Sequence, residues 1–316
     1  MTLRLVIILV VSTRLAAATP VVVDSARARL GATIAGPRNP KSIVLRDGAR
    51  SAVAISVHPR MEPIAIALVI STWPQWIGMN EAPSDPPRPA WQQPGALNPL
   101  KQAIDESGLA TMGAPGSQCV IVRHALDGGR ALIRVTLDNL RGDLLGVQRD
   151  YVGPHDVDVI KAVHIALDEL REIDTPHKAL IVFGDGFATG ALPVSGVVPR
   201  FENEHVTPLA VLWRPPHAKD LYRDMYRDAP EDILAIVPEP IRTTLDDMTA
   251  AVREVIDQLP SDLEVVFDAS TLYWDGRVHD LELVVDGKSL GVRSVRLARP
   301  IVVTSKPVWI DRKSVV

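Results

Sequence analysis

From Ile64 to Ile70 every position is apolar (IAIALVI). That is the pattern of a strand covered on both faces, and it predicts a central strand in a parallel sheet. ALIVF, before Gly184, and TPLAVLW, ending at Trp213, have the same character. CVIVRHA and ALIRVTL read as two more strands joined by the turn Asp127-Gly128-Gly129. Segments of helical period lie between these runs. In LKQAIDESG and the leucine after it, Leu100, Ala103, Ile104 and Leu109 share a face, and Gly108 can end the last turn. DVIKAVHIALDELREI carries Val159, Ile160, Val163, Ala166, Leu167 and Leu170 at helical spacing, and LDDMTAAVREVIDQL is an amphipathic helix stopped by Pro260. Strand, helix, strand in that order implies right-handed parallel crossovers. The expectation is a doubly wound α/β domain with a mostly parallel sheet.

The flanks follow a different pattern. Residues 19–60 form a β lead-in, in which Asp47-Gly48 lies between two alternating β-branched runs and predicts a hairpin. Residues 262–316 form an all-β appendage, LEVVFDAS, HDLELVVDG and SVRLARPIVV, with Asp275-Gly276 and Asp286-Gly287 as turn pairs. The main domain covers 61–258. After Ile70, repeated prolines and Trp73, Trp76 and Trp91 exclude a regular helix or central strand and predict a long ordered loop or lid.

Residues 1–18 combine a basic Arg4, an apolar run from Leu5 to Val11 and the alanines 16–18, the pattern of a secretory signal peptide. The expected location is the periplasm or the extracellular space. No other stretch approaches the roughly 20 apolar residues that span a bilayer, so no membrane span is expected. Composition changes this picture little. A hydrophobic share of 47% with 23% charged residues fits a packed fold. The net charge of −4, with Arg and Lys spread among Asp and Glu, argues against nucleic acid as a partner. Cys119 is the single cysteine, so no intrachain disulfide can form.

The order IAIALVI, KALIVFGDG, TPLAVLW resembles the von Willebrand factor A domain, a Rossmann-like fold, over roughly residues 61–258. The chain is especially similar to bacterial von Willebrand-like proteins of unassigned role, through WIG after the first strand, GVQRDYVG before the second long helix and LIVFGDG after it. That resemblance implies a metal-ion-dependent adhesion site, with D-x-S-x-S after the first strand. Here the stretch is Ser71, Thr72, Trp73, Pro74, Gln75. Ser71 replaces the carboxylate, and Trp73 and Gln75 replace both hydroxyls. The family's threonine is missing from YVGPHDVDV, while Asp185 in FGDGFATG matches the third contribution. Mg²⁺ requires hard oxygens in near-octahedral array. The resemblance therefore implies a degenerate site without a cofactor. The alternative is a residual Mg²⁺ site at Asp185 completed by Asp156 or Asp158, with Ser71 and Thr72 adding neutral oxygens. The plainer reading of Asp185-Gly186 is a capped turn with Gly at φ > 0.

VIVRHALDGG resembles the Arg-His strand end of histidine phosphatases, which makes Arg123 and His124 the candidates of a second alternative, a hydrolase. Those enzymes carry the motif on their first strand and need a second His, whereas here it follows a complete βα unit. His155, His164 and His177 lack His-x3-His or Cys company and read as helix-surface or loop positions. No G-x-S-x-G, Walker loop or G-x-G-x-x-G follows a predicted strand, so no enzyme is expected. The candidate binding surface is the Trp-rich loop, which leaves the carboxyl end of a strand, where this topology binds ligands. Its residues are Ser71, Thr72, Trp73, Trp76 and Trp91, with Trp213 at a neighbouring strand end; the plainer reading has the tryptophans pinning the loop to its own domain. The expected function is metal-independent binding or scaffolding, with a protein, peptide or glycan as the partner.

Overall fold

A computed structural model describes residues 21–71, 96–123, 132–140, 142, 144, 159–186, 194–213 and 232–298. Residues 1–18, read as a signal peptide, most of the Trp-rich loop and the turn expected at Asp127-Gly128-Gly129 lie outside the described residues. The chain divides into two compact units, Met1–Ile34 with Pro40–His58 and Leu263–Val316, and Ala35–Asn39 with Pro59–Asp262.

The larger unit is α/β. Its strands β5 (Ile64–Ile70), β6 (Gln118–Arg123), β7 (Leu132–Thr136), β8 (His177–Gly184), β9 (Val206–Leu212) and β10 (Ile241–Arg242) form a sheet in the order β10-β9-β8-β5-β6-β7. The neighbouring pairs from β10 to β6 are parallel, and β7 runs antiparallel along the edge beside β6. β5 is central, and all seven of its residues are buried. The reason is visible in two apolar clusters. Ile64, Ile66, Leu68 and Ile70 pack with residues of α1 (Leu97–Ser107) and α4 (Met248–Gln258). Ala65, Ala67 and Val69 pack with residues of α2 (Val159–Arg171) and with Phe201 of α3 (Val198–Asn203). The larger side chains thus share one face and the smaller ones the other. Each fully buried Ile, Leu or Val contributes about 1.5–3 kcal/mol.

The helices follow the periodicity. The buried residues of α2 include the six apolar positions named from sequence, and Gly108 ends α1 at φ 81. α4 stops where Pro260 begins the strand β11 (Pro260–Asp268). Gly113 is required by close approach rather than by φ. A Cβ there would lie 2.4 Å from Ser117 Oγ, which donates to Ala114 O at 2.7 Å and accepts from Ile64 N–H at 3.2 Å.

The β lead-in and the appendage meet in one seven-stranded sheet, in the order β1-β2-β11-β4-β3-β12-β13. Its strands are β1 (Val21–Asp24), β2 (Arg29–Pro37), β3 (Ile43–Asp47), β4 (Arg50–Pro59), β11, β12 (Asp275–Val285) and β13 (Lys288–Ala298). The hairpin expected near Asp47-Gly48 forms between β3 and β4, with Asp47 paired to Arg50 and Gly48 at φ 57 opening the two-residue loop. Asp286-Gly287 joins β12 to β13, both residues at positive φ, 48 and 79, as a type I′ turn demands. Asp275-Gly276 is different. Instead of linking strands it opens β12, where the register shifts between Asp275 and Val278 and Gly276 takes φ 82. The physical reason is a local competitor: Asp275 Oδ1 accepts from Arg277 N–H at 2.9 Å and lies 2.9 Å from His279 Nε2, so the Asp-Gly pair makes a bulge. The core of this unit centres on Leu30, Leu263, Phe267, Leu281 and Leu297.

Candidate functional site

The carboxyl ends of the parallel strands bring together two of the residues named from sequence. Ile70 pairs with Phe183 across β5 and β8, so Ser71 and Asp185 follow adjacent strand ends, and Ser71 N–H donates to Phe183 O at 2.8 Å. Ser71 is fully buried and Asp185 is 7% exposed. Gly186 has φ 93, the turn conformation expected of it. Arg123 ends β6, level with Ile70. Thr72, Trp73, Trp76, Trp91, His124, His155, Asp156 and Asp158 lie outside the described residues. Trp213 is a correction: its N–H donates to Gly184 O at 3.0 Å, but the side chain is 5% exposed and packs in the core cluster shared with α1 and α4, so it offers no rim surface. A large aromatic at a strand end gains more by filling the space under a helix than by facing water.

His164 has a structural role. It is half-buried on α2, and Arg200 Nη1 stands 3.1 Å from its Nδ1 while also donating to Asp168 and Glu204 through Nη2 and Nε, at 2.8 and 2.7 Å. A guanidinium has no acceptor, so in this contact Nδ1 is the accepting atom. Cys119 is buried, which pushes its thiol far above the ordinary value and makes it inert.

The opposite ends of the same strands hold a constellation that the sequence reading passed over. His177, read as a surface or loop position, is the first residue of β8 and only 11% exposed at its side chain. The register Ile64↔His177 brings the residues just before β5 beside it. Its Nε2 lies 3.3 Å from Glu62 Oε2 and 3.7 Å from Asp262 Oδ1. This nitrogen is buried and makes no hydrogen bond. Glu62 Oε1 lies 3.3 Å from Arg60 Nη1, and Arg60 N–H donates to Asp262 O at 2.7 Å. Among the described residues these three form the one group of His, Asp, Glu or Cys side chains whose ligand atoms all lie within 4.8 Å of one another. The His177 side of this group was in the sequence, but nothing in its spacing pointed to partners so distant along the chain.

The smaller unit carries a second His between carboxylates. His279 Nε2 is 2.9 Å from Asp275 Oδ1, and Nδ1 is 2.9 Å from Asp47 Oδ2. Tyr273 stacks on its ring, with centroids 6.4 Å apart, and Arg50 sits 3.5 Å over Tyr273. The hydrogen bond to Asp275, then the charges of Asp47 and Asp275, hold the His279 imidazolium above its ordinary value against a partial burial that opposes them. The same bond to His279, with the Arg277 N–H, holds Asp275 below the usual carboxylate range.

No protein-family model matches the chain, and no curated protein sequence does. Solved structures do. Proximal thread matrix protein 1 from the mussel byssus, in a form with a zinc-occupied MIDAS motif, is 12% identical over 64% of this chain and 49% of that one, with a TM-score of 0.44. The chain thus spans about half the length of that structure. A von Willebrand factor type A protein from Catenulispora acidiphila is 9% identical over 88% of this chain and 75% of that one, with a TM-score of 0.41. The conserved hypothetical protein BatB from Bacteroides thetaiotaomicron is 10% identical over 62% of this chain and 96% of that one, with a TM-score of 0.39. These are distant likenesses, and a von Willebrand factor type A protein is among the structures that show them. Among the described residues no helix is long and apolar enough to cross a membrane.

Proposed function

We propose that this chain is an exported, non-catalytic binding or scaffolding protein, whose doubly wound von Willebrand factor A-like domain spans 61–258 and binds its partner without a metal at the carboxyl edge of the sheet. One observation carries this reading. Counted from β5 as the first strand, the sheet order β7-β6-β5-β8-β9-β10 is 3-2-1-4-5-6, with helices packed against both faces of β5. A sheet of that order binds ligands outside the carboxyl ends of its strands, where the strand order reverses. Ser71 and Asp185 stand there. Ser71 in place of the family's carboxylate removes a hard oxygen donor of the kind Mg²⁺ requires. The partner class is a protein, peptide or glycan, engaged by the loop that carries Trp73, Trp76 and Trp91. Export rests on the signal pattern of residues 1–18.

The test is affinity capture from the native cells with the full chain as bait, with and without EDTA. The expected result is a partner retained in EDTA and lost when Trp73, Trp76 and Trp91 are changed to Ala. A partner released by EDTA and lost in Asp185→Ala overturns this reading in favour of divalent-metal adhesion. A partner that survives all three Trp changes removes the loop from the proposal.

A further inference from the structure

We propose that Glu62, His177 and Asp262 form a binding site for a transition-metal dication of the Zn²⁺ class, at the amino ends of β5 and β8. The site is at the end of the sheet opposite Ser71 and Asp185, and it does not depend on the function proposed above.

The spacing of the donors is the first argument. Zinc holds imidazole nitrogen and carboxylate oxygen at about 2.0–2.2 Å in a tetrahedron, so two ligand atoms on one ion stand about 3.3–3.5 Å apart. His177 Nε2 stands 3.3 Å from Glu62 Oε2 and 3.7 Å from Asp262 Oδ1. Both separations exceed the 2.7–3.2 Å of an ordinary N–H···O bond, and one N–H cannot be shared well between two oxygens at that range. A cation lying between the three atoms would satisfy all of them at once.

Burial is the second argument. A buried imidazole nitrogen without a hydrogen bond carries an uncompensated loss of hydration. His177 Nε2 is such an atom, and it faces two carboxylates. A dication would neutralise the two carboxylate charges and give the nitrogen a partner.

The surroundings are already organised for it. Arg60 Nη1 pairs with Glu62 Oε1 and leaves Oε2 toward the imidazole, while the Arg60 backbone N–H anchors the Asp262 carbonyl. Ser117 Oγ fixes the backbone of Ile64, two residues from Glu62. Such outer contacts orient ligands and sharpen metal affinity. A nitrogen ligand selects against Mg²⁺ and Ca²⁺, which take oxygen donors. Three protein ligands leave a fourth tetrahedral position for water.

The experiment is calorimetric titration of Zn²⁺, and separately of Mg²⁺, into the EDTA-stripped full chain, with circular dichroism of each metal-free variant to confirm folding. The expected result is one Zn²⁺ per chain, at least tenfold weaker binding in His177→Ala and in the near-isosteric Glu62→Gln and Asp262→Asn, and no Mg²⁺ heat. Zn²⁺ affinity unchanged in Asp185→Ala separates this site from the carboxyl edge of the sheet. The proposal is overturned if Zn²⁺ binds no tighter to the parent than to folded Glu62→Gln and Asp262→Asn, or if binding follows Asp185. It is equally overturned if no Zn²⁺ heat is seen, since the trio is then an ion-paired cluster.

Discussion

Two histidines in this protein stand between two carboxylates, and they are arranged in opposite ways. His279 gives one ring nitrogen to each partner, Nε2 to Asp275 and Nδ1 to Asp47, both at 2.9 Å. His177 turns one nitrogen, Nε2, toward both Glu62 and Asp262, at 3.3 and 3.7 Å. The first arrangement suits two protons on one imidazolium. The second suits one cation shared by three donors. Residue types therefore do not decide whether a His-carboxylate cluster is a salt bridge or a ligand set; the number of nitrogens engaged and their distances do.

The comparison can be broken or sharpened in several ways, starting with the central strand that pairs with the His177 strand. Leu68→Ala opens a cavity in the centre of β5 and is expected to cost about 2–5 kcal/mol in denaturant unfolding. A loss below about 1 kcal/mol would mean that β5 is not the rigid base on which the His177 geometry depends. Ser117→Ala removes the acceptor of the Ile64 N–H and is expected to cost about 1–3 kcal/mol. It should also weaken Zn²⁺ binding by a smaller factor than Glu62→Gln does, because it loosens Glu62 without deleting a ligand. Equal losses in the two variants would show that Ser117 acts by unfolding the site.

The pH dependence tests the other histidine. The folded pKa of His279 is raised, so its contribution is fully present below about pH 6.5 and is lost as pH rises through the folded value. Asp275 is held low, so its contribution is present above about pH 3.9 and is lost as pH falls through its folded value. The two overlap between those limits, where the contribution of this trio is greatest. His279→Gln should therefore flatten the decline of the unfolding midpoint above pH 6.5. An unchanged slope would show that His279 does not hold its proton against Asp275. The smallest effect is expected at the carboxyl edge: millimolar Mg²⁺ should leave the midpoint of the full chain unshifted, because an ion that binds the folded form must raise it. A rise that disappears in Asp185→Ala would restore the metal reading there.

Much of the α/β unit was legible along the chain. A run that is apolar at every position, as in β5, has no solvent face, so its burial between helices follows from composition alone. The apolar positions of α2 lie on one stripe at helical spacing, and Gly108 and Pro260 mark helix ends because of what their backbones permit. The candidate site was less legible. Asp185 and Ser71 were named through the resemblance, and their places after β8 and β5 followed from strands readable in the sequence. Trp213 was misplaced because a strand end does not tell which way a side chain turns.

The sequence by itself therefore determined the strands with apolar faces, the helices with apolar stripes, the hairpin near Gly48 and the turn at Asp286-Gly287, all of which depend on neighbours a few residues away. Only the tertiary structure decided that lead-in and appendage strands share one sheet, that Asp275-Gly276 is a bulge, and that His177 meets Glu62 and Asp262. Those outcomes depend on strand order and register, which join residues far apart in the chain, and a local pattern of polar and apolar side chains carries no record of which strand becomes whose neighbour.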